Sequence, residues 1–268
     1  MKSREEQITS RDNSRLKRAR TVRDGRIDGE IFVEGLRLAE EAVEFLEITD
    51  FFYTPEFAET ERGEELLKKL HNFNGAVVGQ KLLESISDTK TPQGVVLLAR
   101  KQQTGKEILE KKLKSISAPL FVVLHELNNP ANSGAILRTA EAAGVAGAIL
   151  TRNSADIFSP KSLRGAMGAA FRLPLWTGAE FDETINFFRA NKIKTICADV
   201  RAEKKHTEID WRTGAALIVG SEARGLSPKE VGQTDEQTKI PMKAPVESLN
   251  AAVAAGIILY EAARQRNF

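Results

Sequence analysis

The sequence has little of what ordinary catalytic and metal sites are built from. Cys197 is the one cysteine among 268 residues. An intrachain disulfide and a cysteine-based structural zinc site are therefore excluded, and a reducing compartment fits. The three histidines, His71, His125 and His206, lie far apart, and HELNN at His125 lacks the second histidine of a zinc-protease helix. There is no Gly-x-x-x-x-Gly-Lys phosphate loop, no GxGxxG after a strand and no Gly-x-Ser-x-Gly elbow. No apolar run approaches the roughly 20 residues that span a bilayer. The start, MKSREEQITSRDNSRLKRAR, lacks the apolar core of a signal peptide. Charge of one sign is also missing, since 39 basic residues oppose 37 acidic ones. These absences point to a cytoplasmic protein without metal or membrane span, whose chemistry does not rest on an ordinary nucleophile.

What is present is unevenly distributed. Residues 1–26 hold nine basic and four acidic residues. Such a segment suits a phosphate backbone, because neutralised phosphates release counterions; a solvated tail is the alternative. Arg15, Lys17, Arg18 and Arg20 are its candidate RNA contacts. Helix-like and strand-like segments alternate over residues 13–100, among them EIFVEG, LRLAEEAVEFL, EITDFFYT and GVVLLARK. The spacing predicts a small α/β domain over 1–100. A polar, lysine-rich stretch over 101–117 reads as a linker, partly helical, ending near Pro119. A second α/β series fills 118–268. LFVVLHEL, VAGAILT, IKTICADV and GAALIVG are apolar enough to be strands buried on both faces. AAFRLPLW is expected to be extended, TKIPMK to form a short strand, and SLNAAVAAGIILYEAARQ to form a long closing helix.

Three polar insertions follow buried strands of this second series, where open α/β sheets bind ligands. In NNPANSGAILRTAEAAG, residues 128–144, Asn132 sits where an N-cap is expected, beside free amides and the positive end of the helix dipole. Arg138 shares a face with Gly134, Glu141 and Ala142; pairing with Glu141 in water is its plain alternative. In LIVGSEARGLSPKE, residues 217–230, Gly220 and Gly225 frame a loop carrying Glu222 and Arg224. SPKE is a capping box, so Ser227 and Glu230 are structural. In IPMKAPVESLNAAVAAGIILYE, residues 240–261, Ser248 is the expected N-cap and Asn250 falls in the first turn. The run Ala251, Ala252, Ala254, Ala255 and Gly256 gives that helix a thin waist, suited to close packing in one chain or between two.

Together the three insertions resemble the signature motifs of the SpoU/TrmH family of SPOUT RNA ribose 2′-O-methyltransferases. NPANSGAILRTA, GSEARGL and IPMKAPVESLNAAVA match in order and spacing. The likeness covers residues 118–266. The first domain more weakly resembles a ribosomal-protein-like substrate-binding module, through NSRLKRAR and FVEGLRLAEEA. Ala251 and Ala252 depart from the pattern, standing where larger or polar residues are common.

The resemblance implies a mostly parallel α/β-knot domain with a deep trefoil, which general topology rules would not suggest. It implies S-adenosylmethionine as methyl donor, held by Gly220, Ile240 and Leu249 largely through backbone, with Met242 lining the pocket. It implies structured RNA as substrate, large-subunit (23S) ribosomal RNA first and transfer RNA as the alternative, and a homodimer with the site near the interface. A non-catalytic RNA-binding protein on the same fold is the reading from another class. The catalytic set carried over is Arg138, Asn132, Glu222, Ser248 and Asn250. The family's assignment makes Arg138 the general base. A guanidinium with a pKa above about 12 suits a charged stabiliser better, and both roles stay open at this point.

Overall fold

The computed structural model describes residues 6–267. Lys2 and Arg4 of the basic segment lie outside the described residues. The chain divides into two compact units. One runs to Gln102 and also takes Phe158–Arg172; the other comprises Gln103–Ile157 and Leu173 onward. The sequence boundary near residue 117 thus differs from the packing at two places.

The first unit contains β1 (Glu6–Ile8), α1 (Ser14–Arg23), β2 (Glu30–Glu34), α2 (Leu36–Phe45), β3 (Ile48–Tyr53), α3 (Pro55–Ala58), α4 (Glu61–Leu70), β4 (Gly75–Val78), α5 (Gln80–Ile86) and β5 (Val95–Arg100). Its five strands form one mixed sheet, in the order β1-β4-β3-β5-β2. Asn13 caps α1 by accepting the Arg15 amide at 2.8 Å. The inner face of α1, Leu16, Ala19 and Val22, joins Phe32, Phe52, Val96 and Leu98 in one core. Apolar residues at helical spacing meet alternate strand residues there, which is why so basic a helix docks at all.

In the second unit come α6 (Lys106–Leu113), β6 (Leu120–Leu124), α7 (Pro130–Ala142) and β7 (Gly147–Thr151). The chain then contributes α8 (Pro160–Ala166) and α9 (Ala169–Arg172) to the first unit. Ser159 caps α8, and Arg164 reaches Asp88 at 2.6 Å. The second unit resumes with β8 (Leu175–Ala179), α10 (Phe181–Ala190), β9 (Lys194–Ala198), β10 (Ala215–Val219), α11 (Pro228–Val231), β11 (Glu236–Thr238) and α12 (Ala251–Gln265).

Its six strands are all parallel, in the order β11-β9-β10-β6-β7-β8. Every residue of β6, β7 and β10 is buried, as expected of strands covered on both faces. Phe121, Trp176, Phe187 and Phe188 form an aromatic centre on one side, with Phe121 and Phe188 centroids 5.5 Å apart. On α12, Ala255, Ile258, Leu259, Ala262 and Ala263 are buried, and the helix packs along α7. Among the described residues no helix is long and apolar enough to cross a membrane.

Three local expectations change. AAFRLPLW is not extended throughout. Met167 (φ +47°) and Gly168 (φ +88°) break α8 with left-handed backbone, and α9 restarts before the strand begins at Leu175. TKIPMK is a strand only at Thr238, the last residue of β11. Pairing to β9 ends at Thr238, and Pro241 has no amide to continue a ladder. The stretch read as a partly helical linker does contain a helix, α6, but its Leu109 is fully buried in the core of the second unit, so it packs with that unit.

Candidate active site

The strand order reverses between β6 and β10. The chain builds outward from β6 through β7 to β8, then returns to the other side through β9 and β10. At such a switch the two loops leaving adjacent C-terminal strand ends diverge and leave a crevice. The loop after β6 leads into α7, and the loop after β10 carries Ser221–Leu226. The segment after β11, residues 239–250, crosses the same edge before α12 begins.

The helix caps are shifted from the expected positions. The N-cap of α7 is Asn129, not Asn132. Its side chain accepts the Ala131 amide at 3.0 Å, with Pro130 at the first helical position. Pro130 explains the shift, because proline is tolerated at the first helical position but not further in. Asn132, inside the first turn, is thereby freed for another task. The N-cap of α12 is likewise Asn250 rather than Ser248. Its Oδ1 accepts the amides of Ala252 and Val253 at 2.9 and 3.3 Å.

These displaced asparagines join the three loops. Asn250 Nδ2 donates to Asn132 Oδ1 at 3.1 Å, and Asn132 Nδ2 donates to Glu222 Oε1 at 3.1 Å. An amide can donate and accept at once, whereas a carboxylate only accepts. The polarity of the chain is therefore fixed, from Asn250 through Asn132 to Glu222.

Beside this bridge lies a cleft of about 670 Å³. All four residues expected to hold a cofactor, Gly220, Ile240, Met242 and Leu249, line it, as do Glu222, Ser248 and Asn250. Val219, Ala254 and Ile258 give it an apolar floor. A Cβ on Gly220 would lie 2.5 Å from Leu226 Cδ1 and 2.6 Å from the carbonyl carbon of Gly225. Only glycine lets the loop fold back so tightly, and Gly225, at φ +64°, completes the turn. Among the described residues no hydrogen bond engages the backbone amides of Met242, Ser248 or Leu249.

Arg138 is placed differently. It is exposed on α7, and no hydrogen bond or ion pair engages its side chain among the described residues. It is not part of the cleft wall. The single chain thus joins Asn132, Glu222 and Asn250 by hydrogen bonds, with Ser248 on the same cleft wall, while Arg138 makes no contact with this bridge among the described residues.

The basic residues of the first unit are mostly committed to local partners. Arg15 pairs with Asp50 and with Glu6, and Arg18 with Glu30. Burial opposes the Arg15 charge, but the bonds it donates to Asp50 and Glu6 outweigh it and raise its pKa above the ordinary value. Arg20 donates to the Arg11 carbonyl at 2.8 Å. Lys17, with a side chain 57% exposed and 3.3 Å from Asp12, is the most open of the four.

The sequence reading missed Asp199 and Arg201, which line the cleft just beyond β9. Arg201 donates to both oxygens of Asp199, at 3.0 and 2.7 Å. These bonds outweigh the opposing effect of partial burial and hold the Asp199 carboxyl below the usual range. Their signal was available, since Asp199 and Arg201 directly follow the end of a largely buried strand. Among the described residues no group of three or more His, Cys, Asp or Glu side chains is arranged to hold a metal.

Comparison with known proteins identifies the family. The profile of the SpoU rRNA Methylase family matches residues 119–260, and that of the MRM3-like substrate binding domain matches residues 13–97. A tRNA/rRNA methyltransferase of Synechocystis is 34% identical over 201 residues, covering 75% of this chain and 70% of the relative. The 23S rRNA (guanosine-2′-O-)-methyltransferase RlmB of Bordetella pertussis is 32% identical over 190 residues, covering 70% and 77%. Among solved structures, the AdoMet-bound rRNA methyltransferase of Sinorhizobium meliloti superposes with a TM-score of 0.83 at 26% identity, covering 98% of both chains. The chain belongs to the SpoU rRNA methylase family, with an MRM3-like substrate-binding domain ahead of the methylase domain.

Proposed function

We propose that this protein transfers a methyl group from S-adenosylmethionine to a ribose 2′-hydroxyl of structured RNA, with large-subunit (23S) ribosomal RNA as the first candidate and transfer RNA as the second. The observation that carries the reading is the Asn250–Asn132–Glu222 bridge beside a cleft lined by Gly220, Ile240, Met242 and Leu249.

The residues present fit the donor. A volume of about 670 Å³ is within the range of small-molecule sites. The floor of Val219, Ala254 and Ile258 suits an adenine ring, and the free amides of Met242, Ser248 and Leu249 suit its polar edge. When bound, this donor supplies an electrophilic methyl group, so the protein's task is orientation and charge.

The chain's own residues divide that task. Glu222 fixes Asn132, and Asn132 fixes Asn250, so the entrance to α12 and the entrance to α7 keep one spacing. Ser248, exposed at the rim, is free to bond a substrate hydroxyl or phosphate. Arg138 remains charged. Its exposed guanidinium holds a substrate phosphate and stabilises negative charge developing on the 2′-oxygen. Lys17 and Arg20 extend the basic surface for RNA on the first unit, while Arg15 and Arg18 principally hold that unit together.

The protein acts as a homodimer in this reading. Val253, Ile257 and Tyr260 form an exposed stripe on α12, at 51%, 38% and 51% of full exposure, and spacings of four and three keep them on one face. Facing a second copy there would cover the stripe and give the unpartnered Arg138 a site to act on. In this reading the second unit carries the trefoil knot that the family resemblance implies, and residues between Gly220 and Asn250 line the cleft.

The test has two parts. Calorimetric titration of the full chain with S-adenosylhomocysteine should show one saturable site per chain. Mapping of 2′-O-methyl marks on RNA from a strain lacking the gene should show the loss of one mark, on ribosomal RNA. Absence of binding at millimolar ligand, or a map unchanged from the parent strain, would refute the assignment.

A further inference from the structure

His125 has no part in the chemistry proposed so far, yet it is buried at 4% exposure at the C-terminal end of β6. Both ring nitrogens are engaged. Nε2 lies 3.0 Å from Glu230 Oε1, and Nδ1 lies 3.0 Å from Thr151 Oγ1. The ring also rests on Phe181, with centroids 4.5 Å apart. A carboxylate can only accept, so Nε2 carries the proton toward Glu230. Nδ1 meets the Thr151 hydroxyl, whose oxygen also accepts the Glu126 amide at 3.1 Å.

Glu230 has a second attachment. Its Oε2 accepts the Ser227 amide at 2.7 Å, and its own amide donates to Ser227 Oγ at 3.3 Å. One carboxylate therefore closes the capping box of α11 and ties that cap to the end of β6. The loop Ser221–Leu226 enters this cap directly. On its other side the same loop is tied by Glu222 to Asn132 and by Arg224 to Glu126 at 3.3 Å. Glu126, with φ +51°, is the residue after His125. The loops after β6 and β10 are thus pinned together both at the cleft and at the base, and His125 is the buried pin at the base.

We infer that His125 is a positioning residue: through Glu230 it fixes the loop Ser221–Leu226 in the shape that binds the methyl donor. The inference rests on the assignment of the adjoining cleft to that donor. The arrangement makes His125 act on donor affinity, since Gly220 and Glu222 of the same turn line the cleft while His125 does not. Removing the imidazole leaves the capping box intact but frees it from β6. The turn then samples other positions, and donor affinity falls by the fraction of time it is misplaced.

The test compares the full-length wild type with His125→Leu, which cannot bond, and His125→Gln, whose amide can still donate to Glu230. In the ligand-free proteins, amide hydrogen exchange across Ser221–Leu226 should be faster in His125→Leu and near the wild-type rate in His125→Gln. In calorimetry with S-adenosylhomocysteine, the dissociation constant should rise about tenfold in His125→Leu, the scale of one charge-assisted hydrogen bond. It should stay within about twofold in His125→Gln, with one site per chain in all three proteins. A merely structural role would lower the number of competent sites at an unchanged dissociation constant, and that result would overturn the inference. Unaltered exchange in His125→Leu would overturn it too, as would equal losses in both variants. Failure of the wild type itself to bind would instead remove the donor assignment, and the inference with it.

Discussion

At the scale of the residue, Arg138 and Asn132 divide the work of the first insertion. Asn132 donates and accepts within the chain, so its amide is committed to holding the loops. Arg138 makes no such bond among the described residues and stands exposed on α7. That contrast argues for a charged stabiliser that meets substrate rather than a base buried among partners. Arg138→Ala should therefore reduce methyl transfer by at least about 10²-fold, the scale of losing one preorganised charge donor. Its affinity for S-adenosylhomocysteine should stay within about twofold of wild type, because Arg138 does not line the cleft. Single-turnover methylation of RNA from the deletion strain would measure the first quantity and calorimetry the second. A near-wild-type rate in Arg138→Ala would remove it from the chemistry. The motif spelled out which residue types matter, but the helix start could not be read from it. Asn129 and Asn132 are chemically equal candidates for the cap, and Pro130 decides between them.

At the scale of the element, Asn250 performs two duties that can be separated. Its Oδ1 caps α12, and its Nδ2 reaches Asn132. Asn250→Ala should lose both, destabilising the protein by about 1 kcal/mol through the missing cap and weakening methyl transfer. Asn250→Ser keeps a capping oxygen but lacks the amide donor. It should unfold near the wild-type denaturant midpoint while methyl transfer stays low. Equal activity in Asn250→Ser and wild type would mean that the bridge is dispensable. Strand assignments within this scale were legible wherever apolar residues run together, as in LFVVLHEL and GAALIVG. The failures came where local backbone, not side-chain pattern, decides the outcome. Met167 and Gly168 break one helix and start another. Leu109 looks like part of a polar linker until the strand it covers is in place.

At the scale of the whole molecule, the reversal of strand order between β6 and β10 brings together residues about ninety positions apart, Asn132 and Glu222. The same organisation leaves Val253, Ile257 and Tyr260 outward on α12, with Arg138 unpartnered among the described residues on the helix it packs along. If that face is the dimer contact, replacing Ile257 and Tyr260 together by Asp should halve the mass seen by sedimentation at micromolar concentration. Methyl transfer should fall in step, while each chain stays folded by circular dichroism. A wild type that sediments as a monomer at that concentration would refute the dimer.

The sequence by itself determined most of the secondary elements, the unusual chemistry of three insertions and the family they resemble. Those properties reside in short stretches, where propensity, caps and spacing act over a few residues. Only the tertiary structure decided that Asn132 bridges while Asn129 caps, that Asp199 and Arg201 share the cleft, that Phe158–Arg172 packs with the first unit, and that His125 is wired to Glu230. Each of these depends on which strands become neighbours. That choice is made by burial of the whole sheet, a property distributed over the chain and written in no single segment of it.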